Sequence, residues 1–280
     1  MRLSALAAAL ALAIGVCLAP AEDADESGGA SAQPAPTAET KPAPTTAPAG
    51  PSAEEVLKAL EEAGGKYSTV RADLKYQVEN RLLGDRSSRS GWVAYQKGLK
   101  DDPPMLRIHF ATLRLDEGSE FEEKIDYAFD GKRLSVARHK LKHIQRYRIP
   151  KEKRQEPMKL GEGPFPMPFG QKADEVLKHF TATARPAKDG EPKDTDHLEL
   201  IPRGESAQDL NIVGIEMWVG RDTHLPTRIV STSRDMNVTT VDLAELKTDV
   251  ELEEAVFSIP KPSGWRESIE NLESGTNLSP

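Results

Sequence analysis

From Val70 to Glu79 the chain alternates without a break. Val70, Ala72, Leu74, Tyr76 and Val78 fall on one side, and Arg71, Asp73, Lys75, Gln77 and Glu79 on the other. A period of two sends one set into a core and the other into water, which predicts a half-buried antiparallel strand. The period recurs over Trp92–Lys97, Met105–Leu115, Lys124–Phe129, Lys132–Arg138 and Leu141–Ile149. Leu106, Ile108 and Phe110 share a face in one of these, and Ile125, Tyr127 and Phe129 in another. Asp130-Gly131 is a two-residue hairpin signal between two of them. Strands resume over Phe180–Arg185, His197–Ile201, Leu210–Val219, Thr227–Ser233 and Val238–Leu246, separated by turn residues. Two stretches break the period. Ser52-Ala53-Glu54-Glu55 is a capping box, Val56, Leu57 and Leu60 form one apolar stripe, and Gly64-Gly65 is a stop signal. A second short amphipathic pattern precedes Phe180. The prediction is a mainly β domain over residues 52–265. It is a single unclosed, curved antiparallel β-barrel of about eleven strands, with short helices as covers.

The region before Ser52 reads differently. Arg2, the apolar run Leu3–Leu18 and the small residues around Ala19-Pro20-Ala21 form a secretory signal peptide over residues 1–21. No later apolar run reaches the length of roughly 18 residues that a spanning helix needs. The expected location is therefore the periplasm or cell envelope, with no transmembrane segment in the mature chain. Cys17 is the only cysteine. It leaves two readings open, a lipid-modified N-terminus or loss with the leader, and both deny the fold a disulfide. Residues 22–51 contain eight Ala and six Pro but no Val, Ile, Leu or aromatic residue. Such a segment has nothing to bury and reads as a disordered linker. The net charge of −8, or −9 once the leader takes Arg2 with it, argues against a nucleic-acid partner. Residues 266–280 read as a C-terminal tail.

Between the two groups of strands lies Gly161–Phe180, GEGPFPMPFGQKADEVLKHF. Phe165, Met167 and Phe169 alternate with Pro164, Pro166 and Pro168. The prolines hold the backbone extended and remove its amide donors, so the strip suits an apolar contact. It is either a permanent plug of the sheet's mouth or a movable lid.

The order of the motifs carries a resemblance. Gly91-Trp92-Val93 is followed by Tyr127-Ala128-Phe129-Asp130-Gly131-Lys132-Arg133-Leu134 and a central helical insertion. Then come Leu198-Glu199-Leu200-Ile201-Pro202, Met217-Trp218-Val219, Leu225-Pro226-Thr227-Arg228-Ile229 and Phe257-Ser258-Ile259-Pro260-Lys261-Pro262-Ser263-Gly264. Over residues 52–265 the chain resembles the LolA/LolB-type lipoprotein localization factors of the bacterial envelope. The resemblance implies an open antiparallel barrel whose helices form a lid over a hydrophobic cavity, and a role in carrying lipoprotein acyl chains. In the carrier an arginine near the end of the second strand tethers the lid. The corresponding stretch here, Lys97–Pro104, has extra residues and no arginine.

On that basis the expected cavity lining is Val70, Leu74, Tyr76, Leu106, Ile108, Phe110, Ile125, Tyr127, Phe129, Val213, Ile215 and Met217. Phe165, Met167 and Phe169 form the lid. The expected ligand is a lipoprotein acyl chain or another lipid, and an envelope protein is the other candidate partner. No cofactor, metal site or catalytic set is expected. The chain has no HExxH, GxSxG or phosphate-loop motif, and His139 and His143 are four apart within a strand pair rather than on a helix. Glu216, between Ile215 and Met217, is expected on the solvent face of its strand. Arg138–His143 reads as a basic hairpin tip.

Overall fold

A computed structural model describes residues 50–99, 102–154, 171–186 and 188–271. Cys17 and the lid residues Phe165, Met167 and Phe169 lie outside them.

The first helix, α1 (Ala53–Lys66), starts on the expected box. The Glu55 amide donates to Ser52 Oγ at 3.3 Å, and the Ser52 amide donates to Glu55 Oε2 at 2.7 Å. Its buried stripe is Val56, Leu57, Leu60, Ala63 and Gly64. The helix ends where Tyr67 turns extended and sinks its ring into the core, so the glycines lie inside the last turn.

Twelve strands follow: β1 (Thr69–Asn80), β2 (Arg86–Gln96), β3 (Met105–Leu115), β4 (Phe121–Phe129), β5 (Arg133–Arg138), β6 (His143–Arg148), β7 (Phe180–Arg185), β8 (Thr195–Pro202), β9 (Ile212–Gly220), β10 (Pro226–Ser233), β11 (Asn237–Thr248) and β12 (Arg266–Asn271). They form one curved sheet in the order β12-β6-β5-β4-β3-β2-β1-β11-β10-β9-β8-β7, which has two ends and is not closed. A second helix, α2 (Ala173–His179), leads into β7. Every neighbouring pair is antiparallel except β12 with β6.

The expected unclosed, curved sheet of about eleven strands is present, with twelve strands. The added strand, Arg-Glu-Ser-Ile-Glu-Asn, has no apolar alternation, and the free edge of β6 supplies its backbone partners. β2 likewise begins six residues before the expected Trp92, because Arg86–Gly91 pairs with β1 although most of these residues are polar. At Gly91 β2 and β3 come so close that a Cβ would lie 1.7 Å from the His109 carbonyl oxygen. Only glycine fits there, and the β2–β3 register shifts at that point. The Asp130-Gly131 turn forms as expected. Asp130 Oδ1 accepts from the amides of Lys132 at 2.9 Å and Arg133 at 2.7 Å, and Gly131 has φ +82°.

The sheet buries both faces in the β3–β6 region. On one face the core cluster joins α1 and α2 to strands along the sheet. On the other, Ala128, Ala137 and Ile144 pack against Ile259 and Trp265 of the segment that leads into β12.

Candidate functional site

The helix-covered face is the place the sequence pattern marks for a ligand. Val70, Leu74, Leu106, Ile108, Phe110, Ile125, Tyr127, Phe129, Ile215 and Met217 all belong to its core cluster, none more than 5 % exposed. Tyr76 is half-buried against the same cluster and meets the Phe110 ring edge-on at 5.7 Å. Phe110 in turn meets Tyr127 edge-on at 6.2 Å. Val213 does not join them: it is 52 % exposed. Gly214 pairs with Thr232 and Ile212 with Ser233, so Val213 is the extra residue of a bulge, beyond the end of the β8 pairing.

The face is closed in this structure. Val56, Leu57 and Leu60 of α1 and Val176 of α2 lie over it. Burying three aliphatic side chains of α1 is worth roughly 1.5–3 kcal/mol each. Polar ties are fewer and weaker. Lys97, just past β2, donates from Nζ to the Gly65 carbonyl at 2.7 Å, and Glu61 Oε2 accepts the Ala173 amide at 2.9 Å, joining α1 to α2. An exposed bond of this kind contributes about 1 kcal/mol. A lysine thus ties the last turn of α1 to the residue just past the second strand.

One end of the face is polar. Arg89, 8 % exposed, lies 3.3 Å from Glu123, and the field of Arg89 and Arg138 reaches the Tyr127 hydroxyl. Burial nevertheless dominates and pushes the Tyr127 phenol well above its ordinary range. The sequence gives no signal for this ion pair. Arg89 sits in a serine-arginine run and Glu123 in an acidic one, and only the register brings them together.

The opposite face holds a second polar centre. Asp126, 3 % exposed, accepts from His109 Nδ1 at 2.7 Å and His139 Nε2 at 2.6 Å, and Arg107 lies 2.9 Å away. Burial alone raises its carboxyl. Arg107 and the two imidazole bonds outweigh that and hold it below the ordinary carboxylate value. Trp265 stands edge-on to His139 at 5.0 Å, and Arg107 also donates to the Ser258 carbonyl at 3.2 Å. Near the β7 edge, His197 is stacked on Trp218 at 4.3 Å, with Glu216 3.1 Å from its Nε2. Glu216 is therefore on the face away from the helices, as its strand position implies. His143 contacts Ser268 of β12, and His139 and His143 do not converge on a common point of chemistry.

Grooves among the described residues lie elsewhere. One, of about 410 Å³, is lined by polar residues of β1–β3 and β11, including Lys75, Gln77 and Arg114. Another, of about 520 Å³, runs between the first turns of α1 and the Arg221–His224 turn. Neither contains an expected lining residue.

No protein-family model matches the sequence, and no curated protein matches it. Solved structures do. An uncharacterized conserved protein from Thermus thermophilus is 12 % identical over 78 % of this chain and 98 % of its own, with a TM-score of 0.45. A LolA superfamily protein from Nitrosomonas europaea is 13 % identical over 75 % of this chain and 99 % of its own, with a TM-score of 0.34. Pseudomonas aeruginosa MucB, solved in complex with MucA, is 14 % identical over 74 % of this chain and 61 % of that chain, with a TM-score of 0.39. These are loose likenesses of fold. This chain has an open sheet with helices over one apolar face.

Proposed function

We propose that this chain is an envelope lipid-binding protein, carrier-like, that takes an acyl chain onto the apolar face now covered by α1 and α2. The observation that carries the proposal is the imbalance of that cover. A continuous hydrocarbon face is closed by two short helices with few polar ties, Lys97–Gly65 and Glu61–Ala173 among them. An acyl chain offers the same face the same kind of contact, about 0.8 kcal/mol for each methylene removed from water. It can therefore replace the helix side chains rather than fill a standing void. Ile108, Ile125, Ile215 and Met217 would line the bound tail. Phe165, Met167 and Phe169 would add a greasy strip to the lid, and Phe165→Asp should lower uptake of a fluorescent fatty-acyl probe while leaving the thermal unfolding midpoint unchanged. Secretion through residues 1–21, with residues 22–51 as a spacer, would place the domain in the envelope.

A second reading has one observation in its favour. The expected lining is already covered by the protein's own side chains, as in a domain whose business is on its outer surface. Such a domain would be an envelope sensing or protein-interaction module. Native mass spectrometry of the protein purified from its own envelope separates the two. A bound mass that is lost on denaturation and extracts into organic solvent supports carriage. A bare chain, or a stoichiometric protein partner with no lipid, overturns it in favour of the second.

A further inference from the structure

The helix-covered face is hydrocarbon along most of its length, but one end of it carries charge. Strand pairing sets Arg89 beside Tyr76 and Arg138 beside Ile125, on the phase that points into the face. Glu123 lies two residues before Ile125 and keeps the same phase of β4. The nearby acids Glu79 and Glu122 take the other phase of their strands, where they pair with Arg86 at 3.2 Å and Lys124 at 2.9 Å. The charges that β1–β5 turn into this end are thus two guanidiniums and one carboxylate. Beyond them the same phase of β6 and β12 carries His143 and Arg266, then the acid Glu270 beside Tyr147. Cations are in excess.

Arg89 and Glu123 are poorly matched. Arg89 Nη1 lies 3.3 Å from Glu123 Oε2, and their side chains are 10 % and 21 % exposed. Neither atom completes a hydrogen bond among the described residues. A buried ion pair without good hydrogen bonds returns less than its desolvation costs. Other arginines of the sheet are better served. Arg228 donates to Asp242 at 2.5 Å, and Arg146 donates to the Ser135 hydroxyl and the Ile259 carbonyl, each at 2.9 Å. Arg89 is a charge held from water with little in return, at the end of a face fit for an alkyl tail.

We propose that Arg89 holds the anionic head of the acyl ligand, a carboxylate or a phosphate ester, with Arg138 adding its field. This rests on the reading that the face takes an acyl chain, and it narrows the ligand from any hydrocarbon to an amphiphile with a negative head. A carboxylate or phosphate accepts two parallel bonds from a guanidinium fork. Glu123 stands in for that head in the free protein. It is the more exposed partner, so it can release Arg89 and turn to water as the ligand enters. One anion then replaces another on Arg89, and no buried charge is left alone. A neutral alcohol or ester offers Arg89 no such exchange. From Arg89 the tail runs along β4 past Ile125 and Tyr127.

The test is displacement of the fluorescent acyl probe from the purified chain by hexadecanoate, hexadecyl phosphate and hexadecanol, at a mildly alkaline pH that ionises both acids. The wild type should bind at least one of the anions about ten-fold more tightly than the alcohol, the scale of one charge-assisted hydrogen bond. Arg89→Met should bring the anions down to the level of the alcohol. Glu123→Gln removes the competing charge and should raise the preference several-fold. Arg89→Met/Glu123→Met replaces both charges by apolar side chains, so it leaves neither one buried alone, and it too should show no preference. Hexadecanoate ahead names a fatty acid as the source of the head, and hexadecyl phosphate ahead names a phospholipid; either supports the proposal. Equal binding of alcohol and anions by the wild type overturns the proposal and leaves acyl carriage standing. So does a preference that survives in the double variant. If none of the three displaces the probe, acyl binding itself fails, and this proposal with it.

Discussion

Asp126 keeps its charge under the cover of the C-terminal segment because three donors converge on it, Arg107, His109 and His139. Removing the carboxylate leaves Arg107 buried without its partner, so Asp126→Ala should cost about 3–5 kcal/mol in urea unfolding. Its carboxyl is depressed on folding, so the stability it contributes is complete above the ordinary carboxylate value. It is lost as pH falls through the lower, folded one. The stability gap between wild type and variant should therefore narrow below about pH 4. A gap that is constant down to pH 2 would contradict this. The residues on either side of Asp126 were legible in the sequence. Ile125, Tyr127 and Phe129 keep the apolar phase of their strand and lie in the core. Asp126 itself keeps the polar phase and reads as a solvent position, because alternation cannot report that a distant segment will cover it. Val213 failed for a related reason, since a bulge breaks the period on which its assignment rested.

At the scale of elements, α1 was legible to within two residues, because a capping box and an apolar stripe are local features. β12 was not legible, since its sequence has no pattern and the edge of β6 alone makes it a strand. The tie from Lys97 to Gly65 was not legible: the sequence showed only that the stretch Lys97–Pro104 lacks the arginine that the resemblance implies, and nothing singled out Lys97. The structure gives that lysine a partner on the helix it would tether. Lys97→Ala should remove about 1 kcal/mol from the closed arrangement, roughly a five-fold gain in the open population. Faster hydrogen exchange of the α1 amides, with the core of β3 and β4 unchanged, would be the sign of it. Equal exchange in α1 would mean that the lysine holds nothing.

For the whole molecule, the sequence predicted an open curved sheet with an apolar face, and the structure has one. It predicted short helices as covers, but not how fully their side chains would fill the face, which depends on how far side chains of two elements interdigitate. That closure sets a threshold. Displacing Val56, Leu57 and Leu60 costs roughly 5–9 kcal/mol, which about six to eleven methylenes must match at about 0.8 kcal/mol each. Acyl probes of six carbons should fail to bind and those of sixteen should bind, measured by calorimetric titration. The most direct test uses protein labelled in its isoleucine and methionine methyl groups, mixed with a sixteen-carbon acyl ligand. The account predicts nuclear Overhauser contacts from the ligand chain to Ile108, Ile125, Ile215 and Met217. Contacts confined to exposed side chains such as Met236, or none at all, would contradict it.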